Sequence, residues 1–481
     1  MRVWLGRYWR LGLVVGLTLF GLFLSFIGYS AINVYRDSKG LLTTLKSSNQ
    51  VSTSQSSDLA SGITQGFRIL KLPVIKQLTQ FAGLDFAPIQ SEITTLAKLS
   101  PILLGDKQPK QYLVAFQNTA EARGTGGILG AYAIVEFNNG EIKILKTASN
   151  ADVKWNTEIP IKMPDEFMRI YGKNPAIFLN SNLSPHFPYG AQIWMATWQK
   201  QYGVKLDGVI GIDPTAISYI LNATGDMKLA SGEEITADNV VDKTLSQAYK
   251  KYEKDNNARK QYLVEIMNST FTKLMANQFN KVKMAQAIRS AIIENRLLVY
   301  TTDKDAQAQI EKIRVGGALQ TVANNEYRVV IQNTDASKLD YYLDRAVTVE
   351  STECKVNKQA LVTVTVTNTV ENAQDLPAYV LTRADKRKPA DLQVGQHRFK
   401  VFIYGPVDAK LGPVSRSTPG VDLGGGGAER RRPIYITDVD LAPNQSEIVT
   451  ANFTGGVGKI TYVDQPLVRK TNIEIKDSCK S

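Results

Sequence analysis

The stretch Gln111–Thr147, QYLVAFQNTAEARGTGGILGAYAIVEFNNGEIKILKT, constrains the fold more tightly than any other part of the chain. Apolar residues run through Tyr112–Phe116 and then give way to a polar, glycine-rich segment carrying Glu121, Arg123, Thr125, Gly126 and Gly127. A second apolar run, Ile128–Phe137, follows at once, and Asn138-Asn139-Gly140 leads into a third, Glu141–Leu145. Asn-Gly supplies the positive φ that a tight hairpin turn needs, so the stretch reads as strand, loop and then hairpin. Glycines let backbone N–H groups approach a ligand, and arginine presents a fixed fork of donors. The loop is therefore a candidate cradle for an anion. The alternative is that its glycines serve chain geometry and its charges are solvated. Residue types alone do not separate the two.

At 481 residues the chain has room for several domains with sizeable cores. Its formal charge of +12 suits anionic surfaces such as lipid headgroups, wall polymers or nucleic acid. Leu11–Tyr35 contains no charged residue; these 25 positions, bracketed by Arg10 and Arg36, are enough to span a bilayer. Arg2, Arg7 and Arg10 point to a cytoplasmic location for residues 1–10, with 11–35 expected as a single uncleaved transmembrane helix; a cleavable signal peptide, with small residues at Tyr29-Ser30-Ala31, is the alternative. No later stretch is long and apolar enough to cross again. The bulk is thus expected outside the cell membrane, which removes nucleic acid as a partner. Cys354 and Cys479 are the only two cysteines, and an even count in that compartment favours a disulfide between them. His186 and His397 are the only histidines and neither neighbours a cysteine, so a Cys/His zinc site is not expected.

Residues 36–110 are rich in Ser, Thr and Gln, with Ile69–Phe81 and Ile89–Leu99 at near-helical spacing, and read as a partly helical stalk. From 111 to 325 strands alternate with helices, the pattern of an α/β layered domain. Pro188–Tyr202 gathers Ala191, Trp194, Met195, Trp198 and Tyr202 on one helical face. The preceding NSNLSPHFP loop offers Asn180 or Asn182 to a site. Val204–Ile212 reads as a buried strand carrying Asp207, and Asp213-Pro214 as a helix start with Asp as N-cap. Arg259–Leu274 and Val282–Leu298 read as amphipathic helices. From 326 to 481 short strands dominate; Val362, Val364 and Val366 alternate with threonines, the period of a half-buried antiparallel strand. This part reads as an all-β, immunoglobulin-like sandwich. Its insertion Ser415–Pro433, with Gly424–Gly427 and Arg430–Arg432, reads as a mobile basic loop.

The runs YLVAFQNTAEARGTGG, NSNLSPHFP, DGVIGIDPTAISYILNATG and ITADNV resemble a bacterial envelope family known as domain of unknown function 4012. More remotely, the order of elements is similar to that of the LytR-CpsA-Psr wall ligases, single-pass enzymes that move glycopolymers from a polyprenyl-pyrophosphate carrier onto peptidoglycan. Their Arg-x-Asp-Thr signature aligns with Arg123-Gly124-Thr125, and their arginine-bearing helix with Asn257–Gln261. The resemblance implies Arg259, Lys260 and Gln261 as pyrophosphate contacts beside Arg123. The signature aspartate is absent here. TASNADV replaces the ligases' second acidic run and leaves Asp152.

Three functions follow as expectations. The first is a ligase-like enzyme with Arg123, Asp152 and Asp207 as catalytic residues. Glu121, Thr125, Gly126, Gly127, Asn182, Arg259, Lys260 and Gln261 would bind its ligand, and a metal such as Mg2+ would assist transfer. The second is a non-catalytic binder of wall polymer or lipid carrier using the same cradle. The third is a structural envelope protein whose β domain docks a partner.

Overall fold

The computed structural model describes residues 89–138, 141–276, 278–354, 358–381 and 393–479. The expected anchor, the residues before it and the 36–88 part of the expected stalk lie outside the described residues, as do Asn139 and Gly140 of the hairpin turn. Among the described residues no helix is long and apolar enough to cross a membrane.

Helix α1 (Gln90–Leu103) falls within the expected stalk but does not stand apart. Its Ile89 and Ile93 flank, with Leu96 and Ala97, packs into a core shared with Ile220, Ala223, Met284, Ile288 and Ile292. Burial of that apolar stripe makes α1 part of the α/β body.

The body is built on strands β1 (Lys110–Arg123), β2 (Gly126–Asn138), β3 (Glu141–Ser149) and β4 (Gly208–Ile212). A small ribbon of β5 (Met227–Lys228) and β6 (Glu234–Ile235) stands apart, and β7 (Leu297–Thr301) completes the main sheet. The sheet order is β3-β2-β1-β4-β7, with β1 and β4 parallel and the other pairs antiparallel. Helices cover both faces, which is why β1 and β2 are apolar on both sides. Behind the short α2 (Asp165–Tyr171), α3 (Phe187–Tyr202) lays Phe187, Ala191, Trp194 and Trp198 on Leu113, Ala115, Tyr132 and Val209. Helix α4 (Pro214–Thr224) begins as expected, with Asp213 Oδ1 accepting from the Ala216 N–H at 2.8 Å. Helix α5 (Asn256–Met275) places Met267 against Tyr112, Val114, Ala131 and Val135 on the other face. Helix α6 (Lys281–Ile293) is shorter than expected: Asn295 turns the chain at φ 57° and 297–301 becomes β7, followed by α7 (Lys304–Ile310).

The expected glycine-rich loop is not a loop. Strand β1 continues through Glu121 and Arg123, and only Gly124 and Thr125 turn the chain into β2. The glycines are required by close backbone packing: a Cβ on Gly124 would stand 2.2 Å from the Leu183 carbonyl oxygen, and one on Gly127 2.1 Å from that of Asn118. The chain-geometry alternative therefore accounts for both.

The second part is a two-sheet sandwich. Its elements are β8 (Glu326–Asn333), β9 (Leu343–Glu353), β10 (Gln359–Asn368), the short helix α8 (Ala378–Leu381) and β11 (His397–Tyr404). After them come β12 (Lys410–Arg416), β13 (Gly425–Glu429), β14 (Arg432–Leu441), β15 (Ser446–Thr454), β16 (Thr461–Val463) and β17 (Asn472–Lys476). One sheet runs β12-β15-β10-β9-β17 and the other β13-β14-β11-β8-β16. The Val362, Val364 and Val366 face of β10 lies in the shared core, as the alternation requires. Strands β16 and β17 pair parallel to β8 and β9, a departure from an all-antiparallel sandwich. Cys354 and Cys479, 125 positions apart, are joined in a disulfide that ties the end of β9 to the segment after β17. Closing a loop of that length restricts the unfolded chain, worth about 4–5 kcal/mol in the chain-entropy picture.

The expected mobile basic loop is a hairpin. Strands β13 and β14 pair through Glu429 and Arg432, and the turn residues Arg430 and Arg431 take φ of 50° and 65°. Arg432 is fully buried, donating to the carbonyls of Gln320, Glu326 and Gly405.

The two domains share their cores. Ala122, at the end of β1, lies inside the sandwich cluster. Val330, Phe402, Tyr404 and Ile434 pack on the α/β side against Phe167, Tyr171, Tyr189 and Ile193. A Gly127→Ala substitution, forced against fixed backbone, is expected to destabilise the whole chain by roughly 1–3 kcal/mol or more, since overpacked cores relax only partly. Urea unfolding of that variant checks this, and a midpoint equal to the parent's would contradict the geometry.

Candidate functional site

Carrying β1 past its apolar half puts charged side chains where two domains meet, and burial then forces them to find partners. Glu121 is buried between two cations, with Oε1 2.7 Å from Arg123 Nη2 and Oε2 2.5 Å from Lys338 Nζ. Arg123 commits all five of its donors. Nε and Nη2 reach Asn180 Oδ1 at 3.0 and 2.9 Å, Nη1 reaches the carbonyls of Ala122 and Asn333, and Nη2 also serves Glu121. Arg123 is therefore a structural tie and has no fork to offer a ligand, contrary to the expectation drawn from its place in the sequence.

Lys338 extends the cluster to α5. Its ammonium lies 5.0 Å from the Tyr379 ring centre and 6.0 Å from that of Tyr249. The Arg259 guanidinium lies 4.0 Å from Tyr379 and 4.5 Å from Tyr249, whose rings stack with centres 5.6 Å apart. Arg259 also bonds Asn256, yet its buried Nε has no hydrogen-bond partner. Arg123 and Lys338 thus share the carboxylate of Glu121, while Arg259 stands over the two rings with no carboxylate contact among the described residues. Burial alone would push Glu121 up, but Lys338 and Arg123 outweigh it and hold the carboxyl below its usual range. Burial would push Lys338 down, and Glu121 outweighs it, so the ammonium is held up. Burial would likewise raise the Tyr379 phenol, but Lys338 and Arg259 bring it below the ordinary tyrosine value.

Other expected site residues fall elsewhere. Asn182 Nδ2 donates to Gln117 Oε1, Thr125 Oγ1 and the Gly127 carbonyl at 2.8–2.9 Å, and Thr125 donates to Gln117 at 2.6 Å. These residues do meet, but as a buried polar knot that satisfies itself. Gly126, at φ 133°, abuts Pro466. Asp207 lies just before β4, pairing with Lys110 and accepting from the Gln111 N–H at the start of β1, at the opposite end of that strand from Arg123. Asp152 is exposed and closes a capping box on Ser149, which pairs with Ala131 rather than with the turn. Lys260 is half-buried and Gln261 exposed, so of that triplet only Arg259 turns inward. Because the acids are spread out and already engaged, they do not fit a Mg2+ site. Among the described residues no group of three or more His, Cys, Asp or Glu is placed to hold a metal.

Sequence reasoning missed Lys338, Tyr249 and Tyr379, which carry no local signal. It also missed the clamp beside them. Asp340 Oδ2 accepts from the Ala122 N–H at 2.9 Å and from Asn333 Nδ2 at 2.8 Å, while Oδ1 stands 3.4 Å from His397 Nε2. One of only two histidines in the chain was a fair clue to it. Glu429 is likewise buried, accepting from Ser184, Tyr404 and Tyr171, and burial pushes its carboxyl up.

Two outcomes follow. Glu121→Gln leaves Arg123 and Lys338 buried against a neutral amide, and is expected to cost about 3–5 kcal/mol of stability; denaturant unfolding measures it. Burial would lower the His397 imidazolium, but Asp340 outweighs this and holds it above its usual value. A raised cation stabilises fully below the unfolded value of about 6.5, and that contribution is lost as pH rises through the folded value. Stability should fall on that limb, and Asp340→Asn, which keeps the acceptor for Ala122, should flatten it. An unchanged limb in the variant would assign it to another group.

Against this geometry, comparisons with known proteins add one family. The profile of the family described as "Protein of unknown function (DUF4012)" matches residues 107–249, spanning β1 through Tyr249. No curated protein matches the chain. Among solved structures, a candidate nutrient binding protein of Legionella pneumophila aligns at 7% identity over 32% of this chain and 54% of that one. Its TM-score of 0.18 is too low to carry any argument on fold or function. Residues 107–249, which supply Glu121, Arg123 and Tyr249 to the cluster, are thus the part of the chain that matches the DUF4012 family.

Proposed function

We propose that the chain is a membrane-anchored, extracytoplasmic cell-envelope protein that binds an anionic ligand, a polyprenyl-pyrophosphate-linked glycopolymer or the wall polymer itself. In this reading the α/β body is LytR-CpsA-Psr-like, the sandwich is immunoglobulin-like, and residues 11–35 are the anchor. The observation that carries it is the excess of buried positive charge at the seam, where Arg123 and Lys338 share Glu121 and Arg259 packs on Tyr249 and Tyr379 with no carboxylate contact among the described residues. A partly uncompensated cation cluster in low dielectric attracts an anion strongly. The basic balance of the chain and the Cys354–Cys479 disulfide support an oxidising compartment with anionic polymers nearby.

Binding is favoured over transfer. Phosphoryl or glycosyl transfer needs acids close to the cations, and Asp152 and Asp207 are held at other places by Ser149 and by Lys110. The contact moves from Arg123 to Arg259, whose Nε lacks a partner.

The full chain in detergent is expected to bind polyprenyl pyrophosphate. Arg259→Ala should weaken binding by about 2–5 kcal/mol, the scale for truncating one partner of a buried charge contact. Because Arg259 is buried against two tyrosine rings, the variant should also lose stability, so the affinities of parent and variant are compared well below both melting transitions. Equal affinity in the two would sink the site. Formation of a transferred product with added Mg2+ would overturn the preference for binding over transfer.

A further inference from the structure

Tyr379 is the half-buried member of the cluster at the seam. It lies on α8, which the sandwich fastens in place: the Lys338 N–H donates to the Val380 carbonyl at 2.8 Å, and Val380 packs with Leu339, Val370 and Tyr249. Unlike Tyr249, whose hydroxyl accepts from Asn118 Nδ2 at 2.6 Å deep in the interface, Tyr379 is half-buried and so reaches solvent. Arg259 approaches its ring from the α/β body and Lys338 from the sandwich. Of this group Tyr379 alone is half-buried, whereas Arg259, Lys338, Glu121 and Tyr249 are buried.

We propose that Tyr379 is the specificity residue of the seam, donating its phenolic proton to an oxygen of a bound diphosphate-type oxyanion while Arg259 and Lys338 neutralise the ligand's charge. The proposal rests on the anion-binding reading and names its contact. A phenol between two cations is a good donor to an oxyanion, because the hydrogen bond to a charged acceptor is the stronger kind. The same neighbourhood sets a limit. Once ionised, Tyr379 loses its donor and adds a negative charge against the ligand. The groups facing it are Arg259 and Lys338, then Glu121 and the Tyr249 phenol, with Glu253 beside the Ala378 N–H. The cations dominate, so ionisation comes earlier than for an ordinary tyrosine. Affinity should therefore fall on the alkaline side as this phenol ionises.

The test uses the full chain in detergent, its Tyr379→Phe variant, and inorganic pyrophosphate as the probe. Near-ultraviolet phenolate absorbance of the unliganded parent should show one tyrosine ionising ahead of the rest, and the variant should lack it. Pyrophosphate should bind the variant roughly ten- to a hundredfold more weakly than the parent, and without the alkaline loss. Displacement of micellar polyprenyl pyrophosphate by the probe would identify a lipid headgroup as the occupant. Binding of the probe without such displacement would identify a free diphosphate. Either result supports the role of Tyr379. If parent and variant bind alike with the same pH profile, this inference falls and the anion-binding reading stands. If no early-ionising phenol appears in the parent, the inference falls as well. If the parent binds no pyrophosphate at all, the inference falls, and the anion-binding reading is then decided by the polyprenyl pyrophosphate measurement on parent and Arg259→Ala.

Discussion

The C-terminal half of β1 holds the two domains together, and it does so with backbone as much as with side chains. The Ala122 N–H is given to Asp340, and the Arg123 carbonyl accepts from Gln465 at 2.7 Å. Gln465 in turn closes on both the N–H and the carbonyl of Ile331 in β8. Ala122 itself sits among the valines of the sandwich core. A strand that starts in one domain's sheet and ends in another domain's core cannot be moved without opening both. Every charged group near it is then buried as a consequence, and each must be matched or be expensive.

That constraint explains what could be read in the sequence and what could not. Apolar alternation along β10 and the one-face apolar set of α3 translate directly into packing, because hydrophobic burial depends only on local period. The cap at Asp213 is also local, and it is found where a short polar side chain precedes a helix. The polar half of β1 broke the rule. Glu121 and Arg123 pair with each other, but the partners that complete their burial lie on distant segments, Lys338 and Asn180, so nothing nearby marks them as buried. A strand that is polar because a second domain satisfies it looks, in one dimension, like a loop. The basic hairpin misled in the same way: Arg432 sits at zero exposure because carbonyls from three separate segments converge on it.

The glycines between the strands show the reverse ambiguity. A glycine-rich turn beside an arginine has the composition of an anion cradle and of a crowded hairpin alike. Contact distances decide it, since the space a Cβ would need at Gly124 and Gly127 is filled by the backbone of Leu183 and Asn118. In the proposed reading the anion contact moves along the network, away from Arg123. Arg123 uses every donor to hold the seam, and in doing so it takes one oxygen of Glu121. Lys338 takes the other, and Arg259 is left with aromatic faces and no carboxylate.

Aromatic faces are a weak substitute for a counter-ion. A cation over a tyrosine gains about 0.5–2 kcal/mol, well short of the desolvation penalty of a buried guanidinium. Arg259 is therefore kept inside by packing on Tyr249 and Tyr379 and by its place on α5, whose apolar residues bury the helix regardless. The residual charge is a property of the assembled interface, because Glu121 and Arg259 come from one domain and Lys338 and Tyr379 from the other. In the proposed reading an anion there would compensate charges from both sides at once, and so would tighten the junction on which the end of β1 depends. Binding at the seam and stability of the seam are two readings of one electrostatic balance.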